Sequence, residues 1–303
     1  MKKKVQYRFL LSAMLLLGVL LSGCDIREDN TDCPRPFRLF IKAHDADGID
    51  ITADGDVTQV IVFAFNEMQE IVEVVAVSDQ NFRNGVPINV ELDYPGYQSL
   101  TFVAWGNVGS KIDFPATAGV KEWNDLYAKL FSQNGVAQSP DALFYGNLVV
   151  PLEYGGLEAA GDQTVIMTHR TAQVVITAIN LKQFNEQKDG NYEFRLKESY
   201  DNVDKDGNHT GGPVYYLPQA NMDANGTLHA PVFNTYPQIG ASYTLEVLFD
   251  GQVIYSTSVG SDGTQFVAQL GRMLNIIIDF QGGINVMVVV TPWDVVYQFV
   301  ETK

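Results

Sequence analysis

The sequence of 303 residues predicts an all-β protein made of two antiparallel β-sandwich domains in tandem. Short runs rich in Val, Ile, Phe and Thr recur along the chain, separated by clusters of Asp, Gly, Asn and Pro, which is the pattern of strands and turns. A polar, Gly-rich segment at 153–161 divides this pattern into halves of ordinary domain size. Hydrophobic residues make up 46% of the chain, enough for a packed core in each half.

The N-terminus has the features of an export signal. Four basic residues among the first eight precede an uncharged apolar run at 9–21, which is shorter than the roughly 20 residues that a membrane span needs. The following Leu21-Ser22-Gly23-Cys24 resembles the lipobox of bacterial lipoproteins. We therefore predict a signal peptide at 1–23, a covalent lipid (S-diacylglycerol and N-acyl) on Cys24, and a tether at 24–35.

The charge balance bears on partners and location. The chain has 36 Asp and Glu against 20 Lys and Arg, a net charge of −16, which argues against nucleic-acid binding because phosphate contacts need clustered cations. So acidic a surface is repelled by anionic headgroups, and we expect the lipid, not the polypeptide, to hold the protein at a membrane. Acidic residues just after Cys24 (Asp25, Glu28 and Asp29) resemble a signal for export to the cell surface.

The first sandwich is expected at 36–160. Its strands are expected at 37–43, 57–66, 71–77, 86–92 and 100–105.

One short helix is predicted within this first domain. Apolar residues recur at helical spacing between Gly119 and Phe131, at positions 120, 123, 126, 127 and 130. Such a stripe usually packs a helix onto a sheet.

The second sandwich is expected at 161–303. Its strands are expected at 164–167, 173–179, 192–196, 214–217, 243–249, 252–258, 273–280 and 284–300.

The sequence offers little that resembles catalytic chemistry. It contains no phosphate-binding Gly loop, nucleophile elbow or paired metal-binding histidines, and its four histidines are widely separated. We therefore predict no catalytic residues, no cofactor other than the lipid and no small-molecule substrate. With Cys24 acylated, no intrachain disulfide is expected for Cys33.

A weak calcium candidate lies in the second half. Asn202, Asp204 and Asp206 precede Gly207, as oxygen ligands do in the first half of a calcium loop. The closing Glu is missing, since Pro213 stands at its place. An ordinary turn between two strands is the favoured alternative, and we predict no metal site.

The order of several motifs resembles one family, the lipid-anchored anchor and assembly subunits of Bacteroidetes fimbriae, known as major and minor fimbrium anchoring subunits. The resemblance covers almost the whole chain after the signal peptide. The motifs are Cys24 in its lipobox, Asp32-Cys33-Pro34, the runs at 60–66, 100–107 and 142–146, His169-Arg170-Thr171 with the strand that follows, and Val290-Thr291-Pro292-Trp293.

This resemblance implies a fold and a role. Family members have two transthyretin-like β-sandwich domains and sit at the base of a pilus, where they limit or nucleate its polymerisation. The expected partners are fimbrial stalk or accessory subunits and, through the lipid, the outer membrane. Related stalk subunits lose an N-terminal strand and accept a strand from a neighbour. Since the N-terminus of this chain carries its anchor, we expect the strand at about 36–43 to stay in place.

The C-terminal run is the expected contact with the fimbrium. Ile284, Val286, Val288 and Val290 alternate along one face, and Pro292 interrupts the run before Trp293. A partner strand could pair with such a segment through its main chain. The alternative is an ordinary last strand of the second domain.

A surface glycan-binding lipoprotein of a polysaccharide-uptake system is the rival interpretation. It would share the signal, the acidity and the fold. Sugar platforms need exposed aromatic side chains, so a coplanar exposed cluster would favour it. The candidates are Trp105, Trp123, Tyr215, Tyr216 and Trp293.

Overall fold

The computed structural model describes residues 33–92, 96–155 and 158–297, and almost all of the regular structure in these ranges is strand. Within them, no helix has the length and hydropathy to cross a bilayer. The predicted signal peptide, Cys24 and most of the tether lie outside the described residues.

Within the described ranges, short strands follow one another with two helices of about one turn. In the first half they are β1 Phe37–His44, β2 Val60–Phe65, β3 Ile71–Val77, α1 Asp79–Arg83, β4 Ile88–Val90, β5 Ser99–Gly106, β6 Ile112–Asp113, β7 Tyr127–Leu130, β8 Ser132–Gln133, β9 Val136–Ala137, β10 Phe144–Pro151 and β11 Gln163–His169. In the second half they are β12 Ala172–Ile179, α2 Leu181–Phe184, β13 Tyr192–Ser199, β14 Asn202–Asp204, β15 His209–Thr210, β16 Val214–Tyr216, β17 Asn221–Met222, β18 Leu228–Thr235, β19 Thr244–Phe249, β20 Gln252–Thr257, β21 Arg272–Asp279 and β22 Asn285–Pro292.

A seven-stranded sheet in the order β3-β2-β5-β10-β11-β1-β4 forms the first half. Its central strands β2 and β5 read as almost continuous apolar runs because both of their faces are covered. One face carries Leu39, Val62 and Phe102 and packs under Phe82 of α1. The opposite face presents Phe65 and Trp105 to a second core, which continues into the second half.

Two sheets form the sandwich of the second half. One has the order β17-β18-β12-β21-β22, and the other has the order β20-β19-β13-β16-β9-β8. Side chains that alternate inward from both sheets fill the space between them, for example Ile176 and Ile276 opposite Phe194 and Leu245, all fully buried. The all-β expectation is therefore confirmed.

Each half joins its first strand to a later strand in parallel. β1 runs parallel to β11 with Leu39 opposite Gln163, and β12 runs parallel to β21 with Gln173 opposite Met273. Because only two residues separate β11 from β12, the two parallel pairs follow directly on one another along the chain.

The helix predicted between Gly119 and Phe131 is wrong. Single 3₁₀ turns at Thr117–Gly119 and Trp123–Asp125 are followed by β7, which pairs with β6 and β14. Leu126, Ala128 and Leu130 alternate inward, so the same apolar residues satisfy a period of two. Backbone pairing with β14 overrides the helical spacing, which the sequence alone could not reveal. The helix of the first half is α1.

The two halves share strands across the predicted boundary at 160/161. β11 lies beyond that position but belongs to the first sheet, between β10 and β1. Conversely, β7 pairs with β14, and β9 pairs with β16, so part of the first half completes sheets of the second. The segment at 153–161 is therefore not a simple linker.

The sequence pattern does not predict β10 and β18. β10 carries Gly146 and Asn147 in its interior, and β18 carries Pro231, residues that weaken a strand signal. Pro231 lies where the register between β12 and β18 shifts, so the missing N–H falls at a bulge. The ends of most other expected strands agree within a few residues.

Candidate partner-binding site

The C-terminal strand β22 is an edge strand with one side paired. It pairs only with β21, in an unbroken antiparallel register from Asn285 opposite Asp279 to Pro292 opposite Arg272. Its other side is held at one end by Ser261: the Val286 N–H donates to Ser261 Oγ (2.8 Å), and the Ser261 N–H donates to the Val286 carbonyl (2.8 Å). The rest of that side faces away from the sheet.

The structure divides the residues that the sequence groups as a partner-strand interface. Val286 is 4% exposed and belongs to the core of the second sandwich, and Val288 packs against the same core. Ile284 and Val290 remain about two-fifths exposed, at 41% and 40%. The stripe thus faces the protein's own core, and what β22 leaves open is its backbone edge.

Trp293 does not extend this stripe and lies at the junction of the two halves. Its ring is 4.3 Å, between centroids, from that of His169, which in turn lies 4.1 Å from Phe144. The carboxylate of the next residue, Asp294, accepts a bond from Gln173 Nε2 (2.6 Å), and the Asp294 backbone N–H donates to Gln173 Oε1 (2.8 Å). Trp293 therefore packs the second half against His169 of the first sheet, while the bonds of Asp294 to Gln173 hold the turn after β22 to β12.

His169 is buried at this junction with a strongly altered acidity. It is 3% exposed, and its Nδ1 has no hydrogen-bond partner among the described residues. Burial lowers the pKa of His169 to about 4, against the opposing effect of Asp45 and Asp294. The imidazole is neutral at pH 7, which suits a ring stacked between two aromatic side chains.

The weak calcium candidate is a turn between two strands. Asn202 donates to Thr210 Oγ1 (3.0 Å), and one carboxylate oxygen of Asp204 accepts the N–H groups of Asp206 (3.0 Å) and Asn208 (2.9 Å). Asp206 pairs instead with Lys205. In the described ranges no three or more His, Cys, Asp or Glu side chains converge on a point where a metal ion could bind.

This turn serves to join the halves. The Lys205 carbonyl accepts one bond from the Tyr145 hydroxyl (2.9 Å) and another from Trp123 Nε1 (3.0 Å), both from the first half. A Cβ at Gly207, whose φ is +78°, would collide with the Tyr145 ring. Burial raises the pKa of Tyr145 to about 12, so the hydroxyl stays protonated and can donate. We call residues 204–209 the clasp turn.

Arg170 contacts both Tyr145 and the clasp turn. Its guanidinium lies 5.3 Å from the centre of the Tyr145 ring, and its Nη1 donates to Thr168 Oγ1 (3.2 Å). Its backbone carbonyl accepts a bond from His209 Nε2 (2.6 Å). Sequence reasoning missed Tyr145 and Arg170 as junction residues. The available signal was that both residues lie in the short motifs on which the family resemblance rests.

The N-terminal segment is bonded into the first half from Cys33 onward. The Gly155 N–H donates to the Cys33 carbonyl (3.1 Å), Arg35 donates to the Glu153 carbonyl (2.8 Å), and Ala160 donates to the Pro36 carbonyl (2.8 Å). β1 then continues the ladder between β11 and β4. The Gly-rich segment expected to separate the domains is in fact the partner of the residues that follow the tether.

The aromatic candidates for a sugar platform are dispersed and mostly covered. Trp105 and Tyr216 are buried, at 0% and 1% exposed. Trp123 stacks on Phe65 (centroids 6.1 Å apart), and Trp293 contacts His169. The Tyr215 ring lies against Arg195, whose guanidinium carbon is 5.7 Å from the ring centre. Because two of the five side chains are buried and the other three contact side chains of the protein itself, they do not present the coplanar exposed cluster that glycan binding would need.

Comparison with known sequences places this fold among fimbrial proteins. Residues 30–299 match the family model "Fimbrillin-A associated anchor proteins Mfa1 and Mfa2". The chain is 38% identical over 301 residues to the major fimbrium anchoring subunit FimB of Porphyromonas gingivalis strain W83, with 97% of this chain and 98% of that protein aligned. FimB of strain ATCC 33277 is 37% identical over the same length.

Solved structures show the same fold at low sequence identity. The fimbrial anchor protein Mfa2 from Porphyromonas gingivalis superposes with a TM-score of 0.63 at 18% identity, covering 86% of this chain and 98% of that one. A protein from Bacteroides thetaiotaomicron, provisionally named a polysaccharide binding protein, superposes with a TM-score of 0.64 at 19% identity, covering 88% and 99%. At these identities the likeness concerns the fold alone.

Proposed function

Because the chain belongs to the family of fimbrillin-A associated anchor proteins, we propose that it fixes a fimbrium to the outer membrane through a lipid on Cys24. It is a non-enzymatic structural protein of fimbriae at the cell surface. In the proposed role the lipid holds the N-terminus, and the folded part binds fimbrial stalk or accessory subunits. By ending or starting the row of subunits, it limits or nucleates fimbrial assembly.

One observation carries this proposal: the segment after the tether is an integral part of the first sheet. Backbone bonds tie Cys33 and the residues after it to the first half, and β1 lies between two other strands with Phe37, Leu39, Ile41 and Ala43 buried. Removing β1 would expose this core and also sever the folded part from its anchor. The arrangement suits a subunit that stays attached, because a load on the tether passes directly into a seven-stranded sheet.

The fimbrial partner is proposed to bind by β-strand addition. An extended segment that joins a sheet edge gains main-chain hydrogen bonds and buries alternate side chains. Each Val- or Ile-sized side chain so buried contributes about 1.5–3 kcal/mol before ordering costs. β22 is the C-terminal edge available for such a joint in the second half.

The lipid anchor is tested with a pair of cysteine variants. Cells producing Cys24→Ser should incorporate no labelled palmitate into the protein, release it from the outer-membrane fraction and shed fimbriae into the medium. Cys33→Ser is the matched control, and it should retain label, membrane association and attached fimbriae. Equal labelling of the wild type and Cys24→Ser would contradict the anchor.

The fimbrial role is tested independently of the lipid. Fimbriae sheared from the cells that produce this chain, detected with an antibody to their stalk subunit, should bind the immobilised unlipidated protein. Failure of the folded wild-type protein to retain them would refute its role as a fimbrial base subunit.

A further inference from the structure

The free edge of β22 is short and bounded at both ends. In an antiparallel pair, successive residues direct their N–H and C=O groups alternately toward the partner strand and away from it. Val286 directs both groups away from β21, since both are bonded to Ser261. The register from Asn285 to Pro292 has no bulge, so the alternation continues to Val288, Val290 and Pro292.

Ser261 and Pro292 close the two ends of this edge. Ser261 occupies both backbone groups of Val286. Pro292 has no N–H, and its carbonyl accepts a bond from the Val295 N–H (3.2 Å). Between these stops, Val288 and Val290 direct their N–H and C=O groups outward, and no described residue bonds to them.

The side chains at this edge are also suited to an added strand. Val288 is only partly covered by the core, and Val290 is 40% exposed. Gly260 lies beside Val288: a Cβ added at Gly260 would come within 3.1 Å of Val288 Cγ2. An apolar side chain of an added strand would cover the exposed parts of these two valines and extend the core of the sandwich.

We propose that residues 287–291 of β22 form the docking edge for one extended strand of a fimbrial subunit, through the four backbone groups of Val288 and Val290. The inference rests on the proposed fimbrial role, which supplies the partner. The two stops limit the contact to a few residues and leave a single register, so the joint at the base has a defined length. The apolar edge favours a strand with Val, Ile or Leu on its inward face over a charged one.

A proline substitution tests the edge without breaking the sheet. Val290→Pro removes an N–H that points outward, and an edge strand tolerates proline where its N–H faces solvent. It should keep the thermal unfolding midpoint near that of the wild type and lower binding to sheared fimbriae by about tenfold or more, which corresponds to about 1.4 kcal/mol. Val290→Thr is the matched control, since it keeps the N–H and the branched shape, and its binding should stay within about twofold of the wild type.

Hydrogen exchange gives a second readout that needs no variant. In the free protein the amides of Val288 and Val290 should exchange fast while those of Met287 and Val289, directed at β21, stay protected. Adding sheared fimbriae should slow Val288 and Val290. If fimbriae bind the wild type but neither Val290→Pro nor the exchange pattern changes, the docking edge is refuted and the fimbrial role stands. If fimbriae do not bind the folded wild type, the fimbrial role itself fails.

Discussion

The hydroxyl of Tyr145 donates a hydrogen bond of 2.9 Å to the backbone carbonyl of Lys205, 60 positions further along the chain. The donor lies on β10 of the first sheet and the acceptor in the clasp turn of the second half. A pattern that resembles a metal loop in the sequence is thus a mechanical connection between the halves.

Tyr145→Phe should destabilise the protein by about 1 kcal/mol, because it removes a donor from a part-buried carbonyl. The loss is limited because Trp123 Nε1 still donates to the same oxygen. Urea unfolding measures the change. Tyr127 is half-buried and its hydroxyl makes only an exposed, long bond to Asp113 (3.4 Å), so it provides the control, and Tyr127→Phe should change the stability little. A Tyr145→Phe variant as stable as the wild type would argue that the clasp turn contributes nothing to holding the halves together.

Calcium should have no effect on the clasp turn. The Asp204 carboxylate is engaged by two backbone N–H groups, and Asp206 pairs with Lys205. Millimolar Ca²⁺ and excess EDTA should therefore give the same thermal midpoint. A thermal midpoint that rises by several degrees with Ca²⁺ in the wild type but not in Asp206→Asn would instead show that calcium binds to this turn.

Leu39→Ala should loosen the N-terminal strand. Leu39 is fully buried on β1, and truncating such a side chain costs about 2–5 kcal/mol. The amides of β1 and β11 should exchange faster, and urea unfolding should shift to lower concentration. Ile166→Ala, on the exposed side of β11, is the matched control and should stay within about 0.5 kcal/mol of the wild type. Equal effects of the two changes would mean that β1 is not part of the core.

Stability should fall as the pH drops from about 6.5 toward about 4. His169 has its pKa lowered by burial to about 4, so below pH 6.5 the unfolded chain takes up a proton that the folded protein does not. This destabilisation is absent above pH 6.5 and grows to about 3 kcal/mol by pH 4. His209, whose pKa burial also lowers to about 4, acts in the same direction.

His169→Phe should reduce this pH dependence by about half, since His209 remains. Phenylalanine keeps an aromatic ring between Phe144 and Trp293 and removes the unpartnered Nδ1. Urea unfolding of both proteins at pH 4 and pH 7 gives the comparison. An unchanged difference between the two pH values would show that His169 does not titrate as its burial requires.

Residues with strong local signals were predictable, and residues paired over long distances were not. The β-branched residues at 60–65 predict a strand, and the structure has β2 there. The alternation of Val286 and Val288 likewise predicts the half-buried strand β22. The apolar residues from Val120 to Leu130 fit both a helical period and a strand period of two. Pairing with β14, more than 70 positions further along the chain, selects the strand. Likewise β18 contains a proline that only the bulge opposite β12 makes acceptable.

The candidate site divides in the same way. The sequence selected β22 and grouped the alternating Ile284, Val286, Val288 and Val290 as one interface, whereas the core of the second sandwich covers Val286 and partly covers Val288. Ser261 had no signal of its own, because its role depends on a loop returning to within hydrogen-bond distance of Val286.

By itself, the sequence determined the all-β class, the excess of acidic residues, the lipobox-like motif before Cys24 and the family, because composition, local periodicity and short motifs are properties of neighbours along the chain. Only the tertiary structure decided that β11 joins β1, that the clasp turn holds Tyr145, and that the edge of β22 ends at Ser261 and Pro292. These depend on which backbone groups meet across long stretches of chain, and that is settled when the strands pack against one another and bury a common core.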